Sequence, residues 1–137
     1  EARKRMIWLH PKKNKGSIMS ILATDPPIDK PSATNGLLKR TGVGIARTGG
    51  YTGHGSGEVM IGFTTANRIP SGREEELLQI STIPEHVINR AFLAAAEAEQ
   101  EAILNSMTAA KQTRGREGEL YYSLAEYLND REVETSK

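Results

Sequence analysis

The sequence predicts one domain of mixed α and β structure, with its elements in the order strand, helix, strand, long helix. Three observations carry this prediction. The chain of 137 residues has the length of a single domain, two short apolar runs alternate with segments of helical periodicity, and the second helical segment is much longer than the first. Because two or three strands make a thin sheet for so long a helix, we expect further protein to complete the layers.

Two apolar runs are predicted to be strands. Residues 18–24 are almost continuously apolar, which is typical of a strand covered on both faces, and two prolines end the run. Residues 58–67 form the second strand, and we expect both of its faces to be covered as well. A shorter apolar run at residues 6–9 is a further strand candidate. One face of the second strand is predicted to consist of Val59, Ile61, Phe63 and Thr65.

Three segments are predicted to be helices. Residues 37–47 show helical spacing after a turn-rich stretch at 28–36, and the glycines inside this helix indicate close packing against another element. The strongest pattern follows a capping box predicted at residues 82–85 and extends to about Ala110. A final short helix is predicted at 121–128.

The composition excludes several classes of chemistry. The chain has no cysteine, so disulfides, thiolate zinc sites and a cysteine nucleophile are excluded. Its three histidines are far apart in the sequence, and none lies in a motif with metal-ligand spacing. We expect no metal and no cofactor. No apolar run is long enough for a membrane span and no leader pattern opens the chain, which favours a cytoplasmic protein without membrane contact.

The net charge of +1 is unevenly distributed, with a basic segment at residues 1–16 and an acidic one at 71–137. A basic head can bind nucleic acid, but an aromatic content of 5% offers little material for base stacking. We therefore expect no nucleic-acid partner, and salt-dependent binding would test that alternative.

Three glycine-rich clusters are candidate sites. Residues 42–50 resemble a phosphate-binding loop only superficially, since the P-loop ending is missing, and packing glycines are the favoured interpretation. In residues 54–58, Ser56 and Glu58 would point to one side of an extended chain, although a flexible turn with ordinary polar residues is the favoured interpretation of these residues taken alone. The third cluster is Gly16 and Ser17, at the start of the first strand.

These clusters occur in an order that resembles the C-terminal half of the DmpA family, the L-aminopeptidase/D-esterase enzymes that include the β-peptidyl aminopeptidases. The resemblance covers most of the chain between residues 16 and 118, and it rests on several motifs taken together. They are GSIM at 16–19, ATDP at 23–26, GIARTG at 44–49, GHGSGE at 53–58, FTTAN at 63–67, EAILNS at 101–106 and GREG at 115–118.

The resemblance implies a self-processing enzyme. Members of the family cut their own precursor at a Gly-Ser bond, and the two pieces remain together in a four-layer αββα sandwich of the N-terminal-nucleophile type. The implied cleavage site is the bond between Gly16 and Ser17. Residues 1–16 would then belong to the N-terminal half and residues 17–137 to the nucleophile-bearing half of one αββα domain, with a partner segment outside this chain completing the sandwich.

The resemblance also implies the catalytic residues, with Ser17 as nucleophile and Ser56 and Glu58 beside it. A free α-amine titrates near 7.7–8.0, so after cleavage Ser17 would carry its own base. The implied activity is that of a serine aminopeptidase or amidase that takes short peptides, amides or esters with a free amino terminus. The expected partners are the N-terminal half of the same precursor and further cleaved pairs in a homo-oligomer.

Two departures from the family pattern affect the pocket entrance. The segment at residues 29–36 is longer than usual, and Pro26 stands where alanine is commoner. A catalytically inactive family member that acts as a structural or binding protein is the alternative interpretation, and a precursor that never cleaves would favour it.

Overall fold

The computed structural model describes residues 16–28, 31–55, 57–72 and 77–135, except for the side chains of residues 31–32 and 130–135. The mixed α and β class and the predicted order of elements are confirmed. The strand candidate at residues 6–9 lies outside the described residues, as does the basic head. The elements are β1 (Ile18–Thr24), α1 (Pro31–Arg47), β2 (Glu58–Thr64), a 3₁₀ turn (Glu85–Val87), α2 (Ile88–Ala109), β3 (Thr113–Arg114), β4 (Leu120–Tyr121) and α3 (Leu124–Thr135).

The strands β1 and β2 form a parallel pair, and α1 is the crossover between them. Their register runs from Ile18 opposite Glu58 to Thr24 opposite Thr64. Because the strands are parallel and in register, both begin at the same edge of the sheet. The residues just before each strand are therefore brought together although they are far apart in sequence.

The helices α1 and α2 lie against each other and cover one face of this sheet. The buried core lies between the helices and the sheet and contains Ile28, Leu37 and Ala95. At the helix contact, a Cβ atom added to Gly44 would lie 2.5 Å from the carbonyl oxygen of Ala96. The prediction that glycine in this helix serves close packing is therefore confirmed.

The glycines that follow α1 end the helix. The N–H of Gly50 donates to the carbonyl of Ile45 and that of Gly49 to the carbonyl of Ala46, which is the Schellman pattern. Gly49 has a φ of 101°, a conformation that residues with a Cβ rarely adopt. These backbone roles account for this part of the 42–50 cluster without a bound phosphate.

The face of the sheet opposite the helices is apolar and exposed in the part of the chain described. Met19 and Ile21 are 75% and 71% exposed, and the odd-numbered residues of β2 alternate outward in the same way. The predicted face is thus correct for Val59, Ile61 and Phe63, whereas its fourth predicted member, Thr65, lies beyond the end of β2. The expectation that both faces of each strand are buried is not met by the described residues alone. We call Met19, Ile21, Val59, Ile61 and Phe63 the outer sheet face.

The predicted start of α1 and the predicted end of β2 are wrong. Helix α1 begins at Pro31, six residues before the predicted start, because its first turns pack against α2: a Cβ on Gly36 would lie 2.9 Å from the Phe92 ring, and Ala33 packs against the core. Strand β2 ends at Thr64, three residues early. There the chain turns, with the Thr65 hydroxyl donating to the Asp25 carboxylate at 2.7 Å.

The capping box predicted at residues 82–85 is also wrong. Pro84 is extended, with φ −64° and ψ 145°, and no side chain caps the 3₁₀ turn that follows. A capping box does occur before α3, which runs from Leu124 to Thr135 and not from 121 to 128. The Ser123 N–H and hydroxyl donate to the Glu126 carboxylate, and these hydrogen bonds lower the pKa of Glu126 below its ordinary value.

Candidate active site

The predicted nucleophile lies at the edge of the sheet where both strands begin. Ser17 immediately precedes β1, and Gly57 immediately precedes β2. The backbone N–H of Gly57 donates to the Ser17 hydroxyl oxygen, with 3.4 Å between nitrogen and oxygen. Residues forty positions apart in the chain therefore meet at this edge, and two of the three candidate clusters form one site.

Glu58 lies in the first pair of the ladder, directly opposite Ile18. It is partly buried, and the alternation of β2 places it on the same face as Met60, toward the helices. The serine hydroxyl is exposed. The structure therefore places an exposed serine and a half-buried glutamate at the beginnings of two neighbouring strands.

Ser56 lies outside the described residues, so its predicted place beside Ser17 stays a prediction. Its neighbour Gly57 is described and contacts Ser17.

His54 is exposed in the same loop, two residues after Thr52, which has a positive φ of 51°. A non-glycine residue with a positive φ is uncommon and is often found at functional loops.

The bond between Gly16 and Ser17 lies at the surface. Both residues are exposed, and a Cβ added to Gly16 would have no described neighbour within 4 Å. The same holds for Gly57. Space for a substrate or for a rearranged backbone is therefore present on the described side of this bond.

A cavity of about 540 Å³ lies at the other end of β2, within the loop at residues 66–70 and 77–80. The Asn67 side chain closes this loop by two hydrogen bonds to the Ser81 backbone, at 2.9 and 3.0 Å. At about 3.3 Å per residue, the seven-residue strand separates this cavity from Glu58 by roughly 20 Å. It is too far from Ser17 to receive the reacting bond.

One polar contact near the predicted nucleophile is not predicted by the sequence. The Ser20 hydroxyl of β1 donates to the Glu99 carboxylate of α2 at 2.5 Å, and Ser20 is only 7% exposed. The available signal was the serine in the middle of the apolar run of residues 18–24, because a buried hydroxyl needs a hydrogen-bond partner.

Neither a metal site nor a membrane span occurs in the described ranges. No group of three or more histidine, aspartate or glutamate side chains among those residues could hold a metal ion. None of the described helices is both long and apolar enough to cross a bilayer.

Comparisons with known proteins agree on one family. The chain is 34% identical over 103 residues to "Beta-peptidyl aminopeptidase BapA" of Sphingosinicella microcystinivorans, a match that covers 75% of this chain and 26% of that protein. The protein of the same name from Sphingosinicella xenopeptidilytica is 28% identical over 112 residues, which cover 81% of this chain and 28% of that protein. The chain thus spans about a quarter of the length of the curated relatives it matches.

Solved structures of similar proteins also match most of this chain. The PH0078 protein of Pyrococcus horikoshii OT3 is 40% identical with a TM-score of 0.71, and the match covers 81% of this chain and 31% of that one. The L-aminopeptidase D-Ala-esterase/amidase of Ochrobactrum anthropi, whose structure is described as a variant of the Ntn hydrolase fold, is 32% identical with a TM-score of 0.71 over 80% of this chain and 31% of its own. The family model for peptidase family S58 matches residues 2–121. With the family model spanning most of its length, this chain belongs to peptidase family S58.

Proposed function

We propose that this chain is the nucleophile-bearing part of a self-processing serine aminopeptidase or amidase. The proposal assigns residues 1–16 to the upstream half of the precursor and residues 17–137 to the downstream half. The observation that carries it is the Ser17 hydroxyl at the head of β1, within hydrogen-bond reach of the Gly57 N–H. The site residues are Ser17, Ser56 and Glu58, and no metal or cofactor takes part.

Self-cleavage begins with the hydroxyl of Ser17 in the uncut chain. Its oxygen attacks the carbonyl carbon of Gly16, the peptide C–N bond breaks, and the Ser17 nitrogen leaves as an amine that takes up a proton. The Gly16 acyl group is now an ester on the Ser17 oxygen. Water hydrolyses the ester, which releases a Gly16 carboxylate and leaves Ser17 with a free hydroxyl and a free α-amine.

The new amine is the general base for catalysis. An α-amine has a pKa near 7.7–8.0, so a substantial fraction is neutral around neutral pH. It takes the proton from its own hydroxyl as the oxygen attacks the substrate carbonyl, and it gives that proton to the leaving group. Water then hydrolyses the acyl-enzyme by the same route in reverse.

The carboxylate of Glu58 gives the site its preference for a free amino terminus. A half-buried carboxylate at the start of the strand neighbouring the nucleophile would offer a charged acceptor to a substrate ammonium group. Glu58 and Ser56 also orient the α-amine of Ser17, and a carboxylate alone would raise the pKa of that amine.

The upstream half of the precursor is the partner that covers the outer sheet face. Met19 and Ile21 are more than two-thirds exposed and lie on the face opposite the helices. Burying an apolar face of this kind is the main driving force for layered folds. A second sheet and helix layer from the upstream half would complete a four-layer αββα sandwich, and several cleaved pairs would assemble into a homo-oligomer.

The test uses the complete precursor. We expect its intact mass to be replaced by two fragments, and the second fragment to begin at Ser17 when its amino terminus is sequenced. The purified pair is then offered short α-peptides, β-peptides, amino-acid amides and esters, each with a free or an acetylated amino terminus. Release of products from the free forms supports the proposal, whereas active material with Gly16 still joined to Ser17 contradicts the mechanism, and an uncut, inactive precursor supports a binding protein.

Replacement of Glu58 by glutamine tests the role of its charge. We expect Glu58→Gln to lower kcat/KM on free-amine peptides by about 10- to 100-fold, since a hydrogen bond to a charged group contributes about 1.5–3 kcal/mol. Rates are normalised to the cleaved fraction of each preparation. Glu85→Gln, an exposed glutamate on the 3₁₀ turn, is the control. An unchanged kcat/KM in Glu58→Gln contradicts the assignment.

A further inference from the structure

A charged hydrogen bond joins the nucleophile's strand to α2. The Ser20 hydroxyl donates to the Glu99 carboxylate, and Ser20 lies three residues after Ser17 on the helix-facing side of β1. We propose that Ser20 and Glu99 are positioning residues for the reaction, because they hold the head of β1 at the depth that presents Ser17 to its substrate. This inference rests on the proposed function.

The polarity of the contact is the first argument. Ser20 is 7% exposed and is surrounded in sequence by apolar residues. An apolar side chain of similar size would fill the position without requiring a partly buried carboxylate as partner. A hydroxyl-to-carboxylate hydrogen bond has a charged acceptor, and it fixes a direction and a distance that apolar packing does not.

The path of the Glu99 side chain is the second argument. A Cβ added to Gly44 of α1 would lie 2.7 Å from the Cβ of Glu99. The absence of a side chain at Gly44 therefore makes room for Glu99 to approach the sheet. Three elements, β1, α1 and α2, are thus adjusted to one another around this single hydrogen bond.

The effect of cleavage on β1 is the third argument. Once the bond before Ser17 breaks, the nucleophile is a chain end, and chain ends fray unless contacts hold them. The described contacts that hold this end are the Gly57 N–H on Ser17, the ladder that starts with Ile18 and Glu58, and the Ser20 hydroxyl on Glu99. The last of these is the one that ties the strand to the helix layer by a side-chain hydrogen bond.

The test compares variants of the complete precursor. We expect Ser20→Ala and Glu99→Ala each to lower kcat of the cleaved enzyme by about 10- to 100-fold with KM nearly unchanged, since small displacements of a reacting group have effects of this size. The double variant should be no slower than the slower single variant, because both remove the same bond. Glu99→Gln, which keeps an acceptor oxygen, should recover part of the rate.

Two further measurements separate positioning from general damage. Glu97→Ala, an exposed glutamate on the same helix, is the matched control and should keep the parental kcat. Hydrogen exchange of the peptide that contains residues 18–22 should be faster in Ser20→Ala and Glu99→Ala, and unchanged in Glu97→Ala. Equal kcat in parent and variants, additive losses, or a loss confined to KM each overturns the inference.

The results that would contradict the proposed function differ from those that would contradict only this inference. A parental precursor that neither cuts itself nor turns over peptides overturns the proposed function and this inference with it. A parental enzyme that cleaves and works, together with Ser20→Ala and Glu99→Ala variants that work equally well, overturns the inference alone. If Ser20→Ala yields no folded protein, Glu99→Gln and Glu99→Ala still decide the question through their kcat and exchange rates.

Discussion

Replacing Ser17 by alanine in the complete precursor is expected to leave the chain uncut and to abolish peptidase activity. In the proposed mechanism the same oxygen performs both reactions, so its removal should eliminate self-cleavage and substrate turnover together. Removal of a catalytic nucleophile lowers the rate by at least about 10⁴-fold. Intact-mass analysis gives the cleaved fraction, and the release of an amino-terminal residue from a short peptide gives the activity.

Ser17→Thr is the matched variant. It keeps the hydroxyl and the α-amine and adds one methyl group at an exposed position. Because terminal threonine is also a nucleophile in enzymes of this kind, we expect slower but measurable cleavage. A Ser17→Ala precursor that still cuts at this bond would assign the nucleophile to another residue.

A methyl group at Gly44 is expected to destabilise the molecule by about 3 kcal/mol, the upper part of the range for overpacked cores. The added Cβ would lie 2.5 Å from the Ala96 carbonyl oxygen and 2.9 Å from the Gln100 nitrogen. Both are backbone atoms of α2, so relief requires the two helices to move apart. The midpoint of urea unfolding measures the loss.

Gly42→Ala is the control for Gly44→Ala, because it makes the same change two residues away on α1. Its new Cβ would meet only the end of the Met60 side chain at 3.8 Å, an ordinary contact. We expect it to be neutral or to stabilise the chain by up to about 1 kcal/mol, through helix propensity. Both variants are measured in the Ser17→Ala background, so that every sample is a continuous chain. Equal midpoints for the two would contradict the close helix contact.

Local sequence patterns predicted the elements whose signals are strong over their whole length. The apolar run of β1 and the long stripe of α2 belong to this group. The first turns of α1 could not be found in this way, because proline, serine, threonine, asparagine and glycine at residues 31–36 have the composition of a turn. Their helical state depends on the packing of Ala33 against the core and on the close approach of Gly36 to Phe92 of α2, which is distant in sequence.

The two capping motifs show the same limit. Residues 82–85 carry the letters of a capping box, but an extended Pro84 leaves Thr82 outside the first turn. The segment is instead tied to the loop before α1, where the Ile83 N–H donates to the Pro27 carbonyl. The capping box that forms consists of Ser123 and Glu126. It was not predicted because the segment after it has a weaker helical pattern of apolar residues.

The individual residues of the candidate site could be predicted from the sequence, but their proximity in the fold could not. Ser17 and Glu58 were identified through a resemblance over several motifs, whereas their neighbourhood depends on the parallel register of β1 and β2. No local pattern specifies that register. The contact of Ser20 with Glu99 depends in addition on how deeply α2 lies against the sheet, which a reading of single segments does not provide.

Each of the strands β1 and β2 has one long side that faces away from the other strand, and neither of these sides is paired with another strand in the described portion of the chain. Unpaired edges of this kind are sites of strand addition. If strands from the upstream half dock there, the two halves are interlocked through backbone hydrogen bonds, and they do not merely rest on each other. Cleavage of the peptide bond before Ser17 would then leave the two fragments bound to each other, and they would separate only under conditions that unfold the sheet itself.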